Sequence, residues 1–353
     1  MATIYEVAAL AGVSPATVSR VFNGSNVSRE RTRLVLRAAE QLGYSPNRTA
    51  RALRMQTSSV IALIVADIEN PFFTALARGV EDVAHGAGYS VVLCNSDEDP
   101  AREGRYLTIA VSEHMAGVIL VPAGTDSDIS VLVERGRPVV SVDRALPREP
   151  VDSVVVDNLA GGREATARLY DQGARRVACI TGPGAAETAE LRSAGWREVF
   201  LRRSPDLDPD AYLVHADYRV AGGRAAMAEL LARAEPPDAV FVANNLMALG
   251  ALGELGDRGL RPPGFGVAAY GDLPYFPLEP SGVEVIPLPA RLLGATAATV
   301  LLERIQGSAQ PHRTIMLRNV PDNVPDPDTT GDGQVRAGTR AVSAARPARR
   351  PIP

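Results

Sequence analysis

The sequence predicts a helical headpiece, built around a helix-turn-helix, followed by a two-lobed, doubly wound α/β body. Two observations support this prediction. Up to about Tyr44 the apolar residues follow only short helical patterns, whereas from Val60 onward apolar runs alternate with amphipathic stretches. Runs that are apolar almost throughout are typical of parallel strands covered on both faces, and each strand–helix–strand unit implies a right-handed crossover. A chain of 353 residues also favours several domains over a single core.

The first predicted helix begins after Thr3. Thr3 and Glu6 have the spacing of a capping box, in which the two side chains satisfy backbone N–H groups at the start of a helix. Gly12 permits the tight turn at its end. The predicted buried stripe of this helix consists of Val7, Ala8, Leu10 and Ala11.

The second predicted helix follows this turn directly. Ser14 suits its N-cap, and Pro15 stands at the first helical position, where its missing N–H costs nothing. The residues expected to face the first helix are Val13, Val18 and Val21, and those expected on the outer face are Pro15, Ala16, Thr17, Ser19 and Arg20. Two short helices joined by a glycine-containing turn describe a helix-turn-helix, although an ordinary helical hairpin is the alternative.

Charge is distributed unevenly along the chain, although the net charge is only -4. Up to about Ser59 the acidic residues are Glu6, Glu30 and Glu40, and the basic residues are Arg20, Arg29, Arg31, Arg33, Arg37, Arg48, Arg51 and Arg54. A basic segment can be a merely solvated face. Because this one coincides with the helix-turn-helix pattern, it favours phosphate binding by the headpiece over the hairpin alternative.

The body contains nine predicted strands separated by amphipathic helices. The strands are Val60 to Ala66, Tyr89 to Cys94, Gly117 to Val121, Pro138 to Val142, Val154 to Val156, Val177 to Thr181, Ala239 to Val242, Gly266 to Tyr270 and Val283 to Ile286. Among the helices are Phe72 to Gly86, Gly161 to Gln172, Ala221 to Ala234 and Leu246 to Arg258. We therefore expect a headpiece over residues 1–45, a linker over 46–59, a two-lobed body over 60–323 and a disordered tail, rich in Pro, Gly, Asp and Arg, over 324–353.

Composition excludes several classes of protein. The 46% hydrophobic and 22% charged content argues against a disordered chain, and no apolar run is long enough to span a bilayer. The opening residues do not resemble a secretory signal, so we expect a cytoplasmic protein. Cys94 and Cys179 lie in apolar, strand-like runs, which favours reduced, buried thiols over a disulfide or metal site. We expect no metal and no cofactor.

Several motifs together resemble one family. Residues 3–23 read TIYEVAALAGVSPATVSRVFN and are similar, almost position for position, to the opening of the lactose-repressor (LacI/GalR) family. Further matches are GYSPN at 43–47, IENPFF at 68–73, LCNSD at 93–97, DN at 157–158 and AN at 243–244, and the similarity extends to about Gly307. The resemblance implies a DNA-binding transcriptional regulator, expected to be a repressor, with a periplasmic-binding-protein-like effector domain.

The resemblance also implies which residues contact operator DNA. Pro15, Ala16 and Arg20 would face base edges, with Arg20 the candidate for a bidentate bond to guanine. The residues implied to meet the DNA backbone are Thr17, Ser19, Asn23, Ser28, Tyr44 and Asn47. One departure is Arg31-Thr32, where the family usually has Thr then Arg, so a phosphate contact there is expected to differ.

The linker would form a hinge helix if it follows the family. The matching segment is 47–54, which would order on the operator and pair with its dimer mate in the minor groove; Ala50 and Leu53 are its predicted DNA-binding residues. Leu53 would act as an apolar wedge that opens a base step and kinks the duplex. The alternative is a simple packing role, but Arg51 and Arg54 leave little apolar surface around Leu53.

An effector site is expected in the cleft between the lobes, at the carboxyl ends of the strands. The candidate residues, which follow strands or match family motifs, are Asp67, Phe72, Phe73, Arg192, Trp196, Asn244 and Asp272. Core packing is the alternative for the aromatic pair, and a bridge between two acids is the alternative for Arg192. Sugar is the family default.

Departures from the family keep other effectors open. Asn245 and Gly271 stand where the family usually has aspartate, and the usual closing Arg-Glu-Ser motif is absent after Leu317. A phosphorylated ligand, a nucleoside, or a weak or absent effector response therefore remain alternatives to a sugar. The residues do not distinguish an inducer from a corepressor.

Two other functions compete with regulation. A periplasmic-type solute-binding protein would share the fold of the body, but the predicted helix-turn-helix and the absence of a signal count against it. An enzyme is disfavoured because Thr181-Gly182-Pro183-Gly184 lacks the lysine of a phosphate loop and no catalytic triad spacing occurs. The predicted mechanism is a homodimer on a palindromic operator, with effector binding biasing the order of the hinge helices.

Overall fold

The computed structural model describes residues 2–22, 27–44, 58–273 and 282–319. The chain divides after Ser58 into two compact units, Met1–Ser58 and Ser59–Pro353. We call the first the headpiece and the second the effector unit. Most of the predicted linker and the whole predicted tail over 324–353 lie outside the described residues.

The headpiece consists of three helices: α1 (Ile4–Ala11), α2 (Pro15–Phe22) and α3 (Arg29–Gln41). The Thr3–Glu6 capping box is formed at the start of α1, and Gly12 ends this helix in the left-handed region at φ 63°. The core that joins the three helices is formed by Val7, Ala8, Ala11, Val18, Val35, Ala38 and Ala39.

Leu10 does not belong to this core, so its assignment to the buried stripe is wrong. The side chain is 52% exposed, whereas Val7 and Ala8 are buried. At 100° per residue, Leu10 lies roughly 110° from the centre of the face formed by Val7, Ala8 and Ala11 together with Ile4. Leu10 was assigned to the buried stripe because it is apolar. The buried face of α1 is narrower than the set of its apolar residues, so Leu10 lies outside that face.

The first lobe of the effector unit is a six-stranded parallel sheet with the order β11-β5-β4-β3-β1-β2. Its strands are β1 (Val60–Val65), β2 (Ser90–Asn95), β3 (Gly117–Leu120), β4 (Val139–Val142), β5 (Asp152–Val156) and β11 (Thr314–Leu317). Its helices are α4 (Pro71–Gly86), α5 (Pro100–Ser112), the short α6 (Ser130–Val133) and α11 (Ala290–Ile305).

The second lobe is a five-stranded parallel sheet with the order β10-β9-β8-β6-β7. Its strands are β6 (Val177–Thr181), β7 (Leu213–His215), β8 (Ala239–Val242), β9 (Gly266–Tyr270) and β10 (Val283–Ile286). Its helices are α7 (Asn158–Asp171), α8 (Glu187–Arg203), α9 (Val220–Leu231) and α10 (Asn245–Asp257), with a 3-10 turn at Pro209–Tyr212.

The two lobes confirm the doubly wound fold, and in the described residues the chain passes between them after β5, before α11 and after β11, where Asn319 Nδ2 donates to the Tyr270 hydroxyl. It leaves the first lobe after β5 and returns to it at α11, which packs against α4, β3, β4 and β5. The central strands β1, β3, β4, β6 and β8 are buried almost throughout. This burial on both faces explains why their sequences are apolar without alternation.

Two strands, β7 and β11, were not predicted. Both are edge strands, and β11 alternates between exposed and half-buried residues, with Met316 58% exposed. β7 has only three residues. The apolar residues are only Leu213 and Val214 in β7 and Ile315, Met316 and Leu317 in β11, because an edge strand needs burial on part of its surface only.

Other expectations concern membranes, metals and thiols. None of the helices in the described ranges is long and apolar enough to cross a membrane. The described residues contain no group of three or more His, Cys, Asp or Glu side chains placed to hold a metal ion. Both cysteines are free thiols; Cys179 is buried, whereas Cys94 is only half-buried.

Candidate functional site

The outer face of α2 presents a short set of polar and small side chains. Ala16 and Arg20 are exposed, and Pro15, Thr17 and Ser19 are half-buried. Ser14 Oγ accepts the backbone N–H of Thr17 at 3.2 Å, which fixes the start of the helix. The predicted outer face is therefore the accessible face of α2.

Two further predicted DNA contacts lie at the ends of α3. Ser28 is exposed at the N-cap and makes no capping hydrogen bond. Tyr44 is half-buried, and its ring packs against Phe22 with the ring centroids 5.7 Å apart. The remaining predicted contacts, Asn23, Asn47, Ala50 and Leu53, lie outside the described residues.

A cavity lies between the two lobes, where the carboxyl ends of both sets of parallel strands meet. Its volume is about 40 Å³, room for a few water-sized molecules only. A larger ligand therefore needs the lobes to separate. The lining residues are Asp67, Asn70, Phe72, Phe73, Glu98, Asp143, Arg144, Thr188, Arg192, Asp217, Tyr218, Arg219, Asn244, Asn245, Tyr270 and Leu288.

Three of the predicted effector residues line this cavity from the first lobe. Asp67 lies two residues after the end of β1, and Phe72 and Phe73 lie in the first turn of α4, which Asn70 caps by accepting the N–H of Phe72 at 3.0 Å. The two phenyl rings meet edge to face with centroids 5.0 Å apart. Burial raises the pKa of Asp67, while the N–H of Glu69 and the guanidinium of Arg219 lower it.

Arg192 lines the cavity from the second lobe, where two hydrogen bonds and an aromatic ring hold its guanidinium. Its Nε donates to Asn158 Oδ1 and its Nη1 to the carbonyl of Ala243, both at 2.8 Å, and its guanidinium stacks 4.1 Å from the Tyr270 ring centroid. A Cβ on Gly162 would come within 2.2 Å of the Arg192 carbonyl oxygen. Glycine in α7 thus allows α8 to approach closely enough to bring Arg192 to the cleft.

Two adjacent asparagines close the second lobe's side of the cavity. Asn244 accepts the N–H of Met247 at 3.0 Å and so caps α10. Asn245 donates from Nδ2 to Asn70 Oδ1 across the cleft at 3.1 Å. The asparagine that departs from the family pattern therefore makes a direct bond between the lobes.

Trp196 and Asp272 do not lie on the cavity. Trp196 is fully buried beside Phe200, and its indole N–H donates to the Val177 carbonyl at 2.9 Å. Asp272 is exposed. The placement of both side chains runs against their prediction as effector contacts. The Arg-x-x-Gly-aromatic pattern brought Arg192 to the cavity, but the aromatic residue faces the core of the lobe.

A buried charged pair that the sequence reading missed lies at the end of β4. Asp143 and Arg144 are 5% and 4% exposed, and Arg144 makes two 2.6 Å bonds to the carboxylate of Glu98. Asp143 adopts φ 68°, which is rare for an aspartate and places its side chain beside Arg144, with Oδ2 3.8 Å from the guanidinium Nε.

Two polar atoms of this pair have no partner among the described residues. They are Asp143 Oδ1, an acceptor, and Arg144 Nε, a donor. Burial raises the pKa of Asp143, while the guanidinium groups of Arg144 and Arg192 lower it. Buried polar atoms are normally paired, so these two atoms are exceptions.

One signal in the sequence points to this pair. Asp143 and Arg144 directly follow the apolar strand Val139–Val142, much as Asp67 comes two residues after β1. The same argument from strand ends would have placed them at the cleft. By contrast, Tyr218 and Arg219 follow the short strand β7, which carried no recognisable pattern.

The fold and the two sites define a class of protein. A helix-turn-helix headpiece with an accessible second helix precedes a two-lobed unit with a polar cavity between parallel sheets, which is the architecture of a ligand-responsive DNA-binding regulator. Residues 3–47 match the family model described as bacterial regulatory proteins, lacI family. Residues 58–323 match the model of periplasmic binding proteins and sugar binding domain of the LacI family. The chain belongs to the LacI family.

Individual relatives agree with this assignment. The chain is 36% identical over 310 residues to the ribose operon repressor of Escherichia coli (strain K12), covering 86% of this chain and 93% of that protein. It resembles the structure of the transcriptional regulator CelR in complex with cellobiose, with 35% identity, a TM-score of 0.66 and coverage of 90% and 97% of the two chains.

The full architecture, headpiece included, is also found in a DNA complex. The lac repressor dimer bound to operator and the anti-inducer ONPF matches with a TM-score of 0.78 and 27% identity, covering 90% of this chain and 96% of that one. The expected family and fold are therefore confirmed. The protein is a DNA-binding transcriptional regulator, and the solute-binding alternative is disfavoured because of the headpiece.

Proposed function

We propose that this protein is a transcriptional repressor that binds a palindromic operator as a homodimer and responds to a neutral, hydroxyl-rich ligand, a sugar, held between its lobes. The observation that carries the choice of ligand is the pair of unpartnered atoms at Asp143 and Arg144. A hydroxyl both donates and accepts, so sugar hydroxyls can serve the acceptor Asp143 Oδ1 and the donor Arg144 Nε alike.

The arginines of the cavity argue against a phosphorylated ligand. Arg144 is neutralised by Glu98, and Arg192 is occupied by Asn158, the Ala243 carbonyl and the Tyr270 ring. The third, Arg219, is surrounded by carboxylates. A phosphate needs cations that are not already paired, whereas a neutral ligand does not.

Aromatic side chains supply the apolar part of the site. Phe72 and Phe73 line the cavity from the first lobe, and Tyr218 and Tyr270 line it from the second. Ligand sites combine apolar walls with a few polar groups that fix orientation. The C–H faces of a sugar ring fit such walls. Asp143 would supply the acidic group that Gly271 cannot, because Asp143 follows β4 and lines the cavity.

For DNA, we propose that the outer face of α2 reads bases. Arg20 would bond guanine, and Pro15 and Ala16 would make shape and apolar contacts. Thr17, Ser19, Ser28 and Tyr44 would meet the backbone. Asn23, Asn47, Ala50 and Leu53 stay predictions from the family resemblance, with Leu53 as the minor-groove wedge.

Location and chemistry complete the proposal. A regulator of bacterial operators acts in the cytoplasm, where the DNA is, and we propose no enzymatic activity, in keeping with the regulatory names of its relatives. We also propose the boundaries 1–45, 46–59, 60–323 and 324–353 for headpiece, hinge, effector domain and tail.

Calorimetric titration of the full chain tests the ligand class. Neutral sugars, ribose and cellobiose among them, are titrated beside ribose 5-phosphate and adenosine. We expect a neutral sugar to bind, and Asp143→Ala to weaken that binding by about tenfold or more, since a bond to a charged group contributes about 1.5 to 3 kcal/mol.

The matched control is Asp126→Ala, which removes an exposed carboxylate of the same lobe. It should leave sugar binding unchanged. Tighter binding of the phosphate ester or of adenosine than of any neutral sugar would overturn the proposed ligand class. Repeating the titration with operator-bound protein then gives the sign, because an inducer binds this complex more weakly and a corepressor more tightly.

A further inference from the structure

Arg219 joins the two lobes at the mouth of the cavity. It lies between β7 and α9 in the second lobe, and its guanidinium reaches three carboxylates of the first lobe. The distances are 2.6 Å to Asp97 Oδ1, 3.3 Å to Glu69 Oε2 and 3.4 Å to Asp67 Oδ2. One side chain thus holds three acids that follow two different strands of the opposite sheet.

The three carboxylates are placed for this contact by local structure. Asp67 Oδ1 accepts the N–H of Glu69 at 3.0 Å, which turns the chain after β1. Asp97 and Glu98 both adopt positive φ, 58° and 57°, an uncommon conformation for residues other than glycine. This turn directs Glu98 to Arg144 and Asp97 to Arg219. The backbone after β2 therefore places the neighbouring carboxylates of Asp97 and Glu98 against two different arginines.

These ion pairs differ from the others in the effector unit. Among the described residues, the remaining arginine–carboxylate pairs with given distances, such as Arg291–Asp82 and Arg304–Asp152, join two residues of one lobe. Opening the cleft would leave those pairs intact. It would break all three pairs of Arg219, and a ligand larger than the 40 Å³ cavity can enter only if the cleft opens.

Opening the cleft would expose an acidic rim on the first lobe. Asp67, Glu69 and Asp97 carry three negative charges on the first lobe, and Arg102, 3.2 Å from Asp97, offsets one of them. An anionic ligand at the mouth would meet this rim and would have to take Arg219 away from three carboxylates. A neutral ligand leaves these pairs free to form again when the lobes close.

We propose that Arg219 is a specificity-determining residue of the effector site: its cross-lobe pairs with Asp67, Glu69 and Asp97 favour neutral ligands and disfavour anionic ones. Arg219 acts as a clamp that closes over a neutral ligand and that an anion would have to displace. The inference rests on the proposed function, and it extends that function from the ligand's hydroxyl contacts to the charge selection at the mouth.

Hydrogen–deuterium exchange on the full chain tests the clamp without any ligand. Arg219→Gln should raise exchange in peptides covering 65–72 and 95–99, which belong to the opposite lobe. The control is Arg224→Gln, an arginine of similar exposure that pairs with Glu254 and Asp257 inside the second lobe. It should raise exchange only near α9 and α10. Exchange at 65–72 and 95–99 that is the same in both variants and the wild type would overturn the clamp.

Salt gives a second reading of the same contact. Raising NaCl to about 0.5 M shortens the screening length to a few ångströms and should increase exchange at 65–72 and 95–99 in the wild type. Arg219→Gln should show little further change. An equal salt response in the two proteins would show that Arg219 does not carry the cross-lobe attraction.

Inorganic phosphate tests the charge selection. The wild type should show no thermal stabilisation by millimolar phosphate beyond that of NaCl at equal ionic strength, because Arg219 is occupied. Glu69→Gln combined with Asp97→Asn frees Arg219 of two partners and should gain such stabilisation. The gain should vanish when Arg219→Gln is added. Equal phosphate responses of the wild type and the double variant, present or absent, would overturn the selection.

These outcomes are separate from the failure of the proposed function. If no sugar binds but exchange and phosphate behave as described, the clamp stands and the ligand class is wrong. If a sugar binds through Asp143 while exchange across the cleft ignores Arg219, the proposed function stands and the clamp is wrong.

Discussion

The candidate binding residues described in the headpiece are exposed or half-buried, whereas most of those in the effector unit are buried. On α2, Ala16 and Arg20 are exposed and touch little of the headpiece core. In the effector unit, Asp143, Arg144 and Arg192 are 5%, 4% and 6% exposed. The comparison teaches that DNA reading can change without altering the headpiece fold. The buried residues of the effector cavity, by contrast, also stabilise the lobes in which they lie, so changing them alters both ligand binding and stability.

The largest effect is expected at Arg144. Replacing it with Met leaves the Glu98 carboxylate and Asp143 without their guanidinium partner, and breaking a buried pair in this way costs about 3 to 5 kcal/mol of unfolding free energy. Urea unfolding followed by Trp196 fluorescence and circular dichroism measures it. Arg148→Met, which breaks an exposed pair with Asp126, is the control and should cost about 1 kcal/mol or less. Equal losses would show that burial of the Arg144 pair adds nothing to the stability of the effector unit.

The second effect concerns operator binding rather than stability. Arg20→Ala should weaken binding by about 1 to 3 kcal/mol and relax base choice at one operator position. The unfolding free energy of the headpiece should change by no more than about 0.5 kcal/mol, because the side chain is exposed. Operators selected from a random DNA pool and fluorescence anisotropy supply the measurement. Equal weakening on every DNA sequence would exclude Arg20 as a base reader.

A smaller effect, with a defined pH dependence, is expected at Asp143. Burial raises its pKa in the folded protein, whereas in an unfolded chain an aspartate ionises near about 3.9. Between these values the folded state binds more protons, so this group's contribution to stability falls as pH rises. Asp143→Asn removes the titration. The variant's unfolding free energy minus that of the wild type should therefore increase with pH across this window. A difference that decreases with pH would contradict the raised pKa.

The smallest effect is expected at Leu10. Leu10→Ser should change the stability of the headpiece by no more than about 0.5 kcal/mol, because the side chain is 52% exposed. Val18→Ala, at a fully buried position, is the matched substitution and should lower the melting temperature clearly. A large loss at Leu10 would show that another surface covers this residue in the working protein.

The sequence alone determined the elements with local signals. The capping box at Thr3, the turn at Gly12 and the N-cap at Ser14 depend on residues three or four apart, and each is formed. The buried parallel strands were recognisable because burial on both faces leaves an apolar run. Asp67, Phe72, Phe73, Arg192 and Asn244 were placed at the cleft by strand ends and by family motifs, and all five line the cavity.

Only the tertiary structure decided which charges meet. Arg144 and Glu98 are 46 residues apart in sequence, and Arg219 and Asp97 are 122 apart. No local pattern links such positions, because their partners are set by the order of strands in two sheets and by the closure of the lobes. For the same reason, the sequence could not tell that Trp196 faces the core while Arg192, on the same helix, faces the cavity. Local hydrogen bonds follow from neighbouring residues, whereas a buried charge pair follows from the packing of the whole domain.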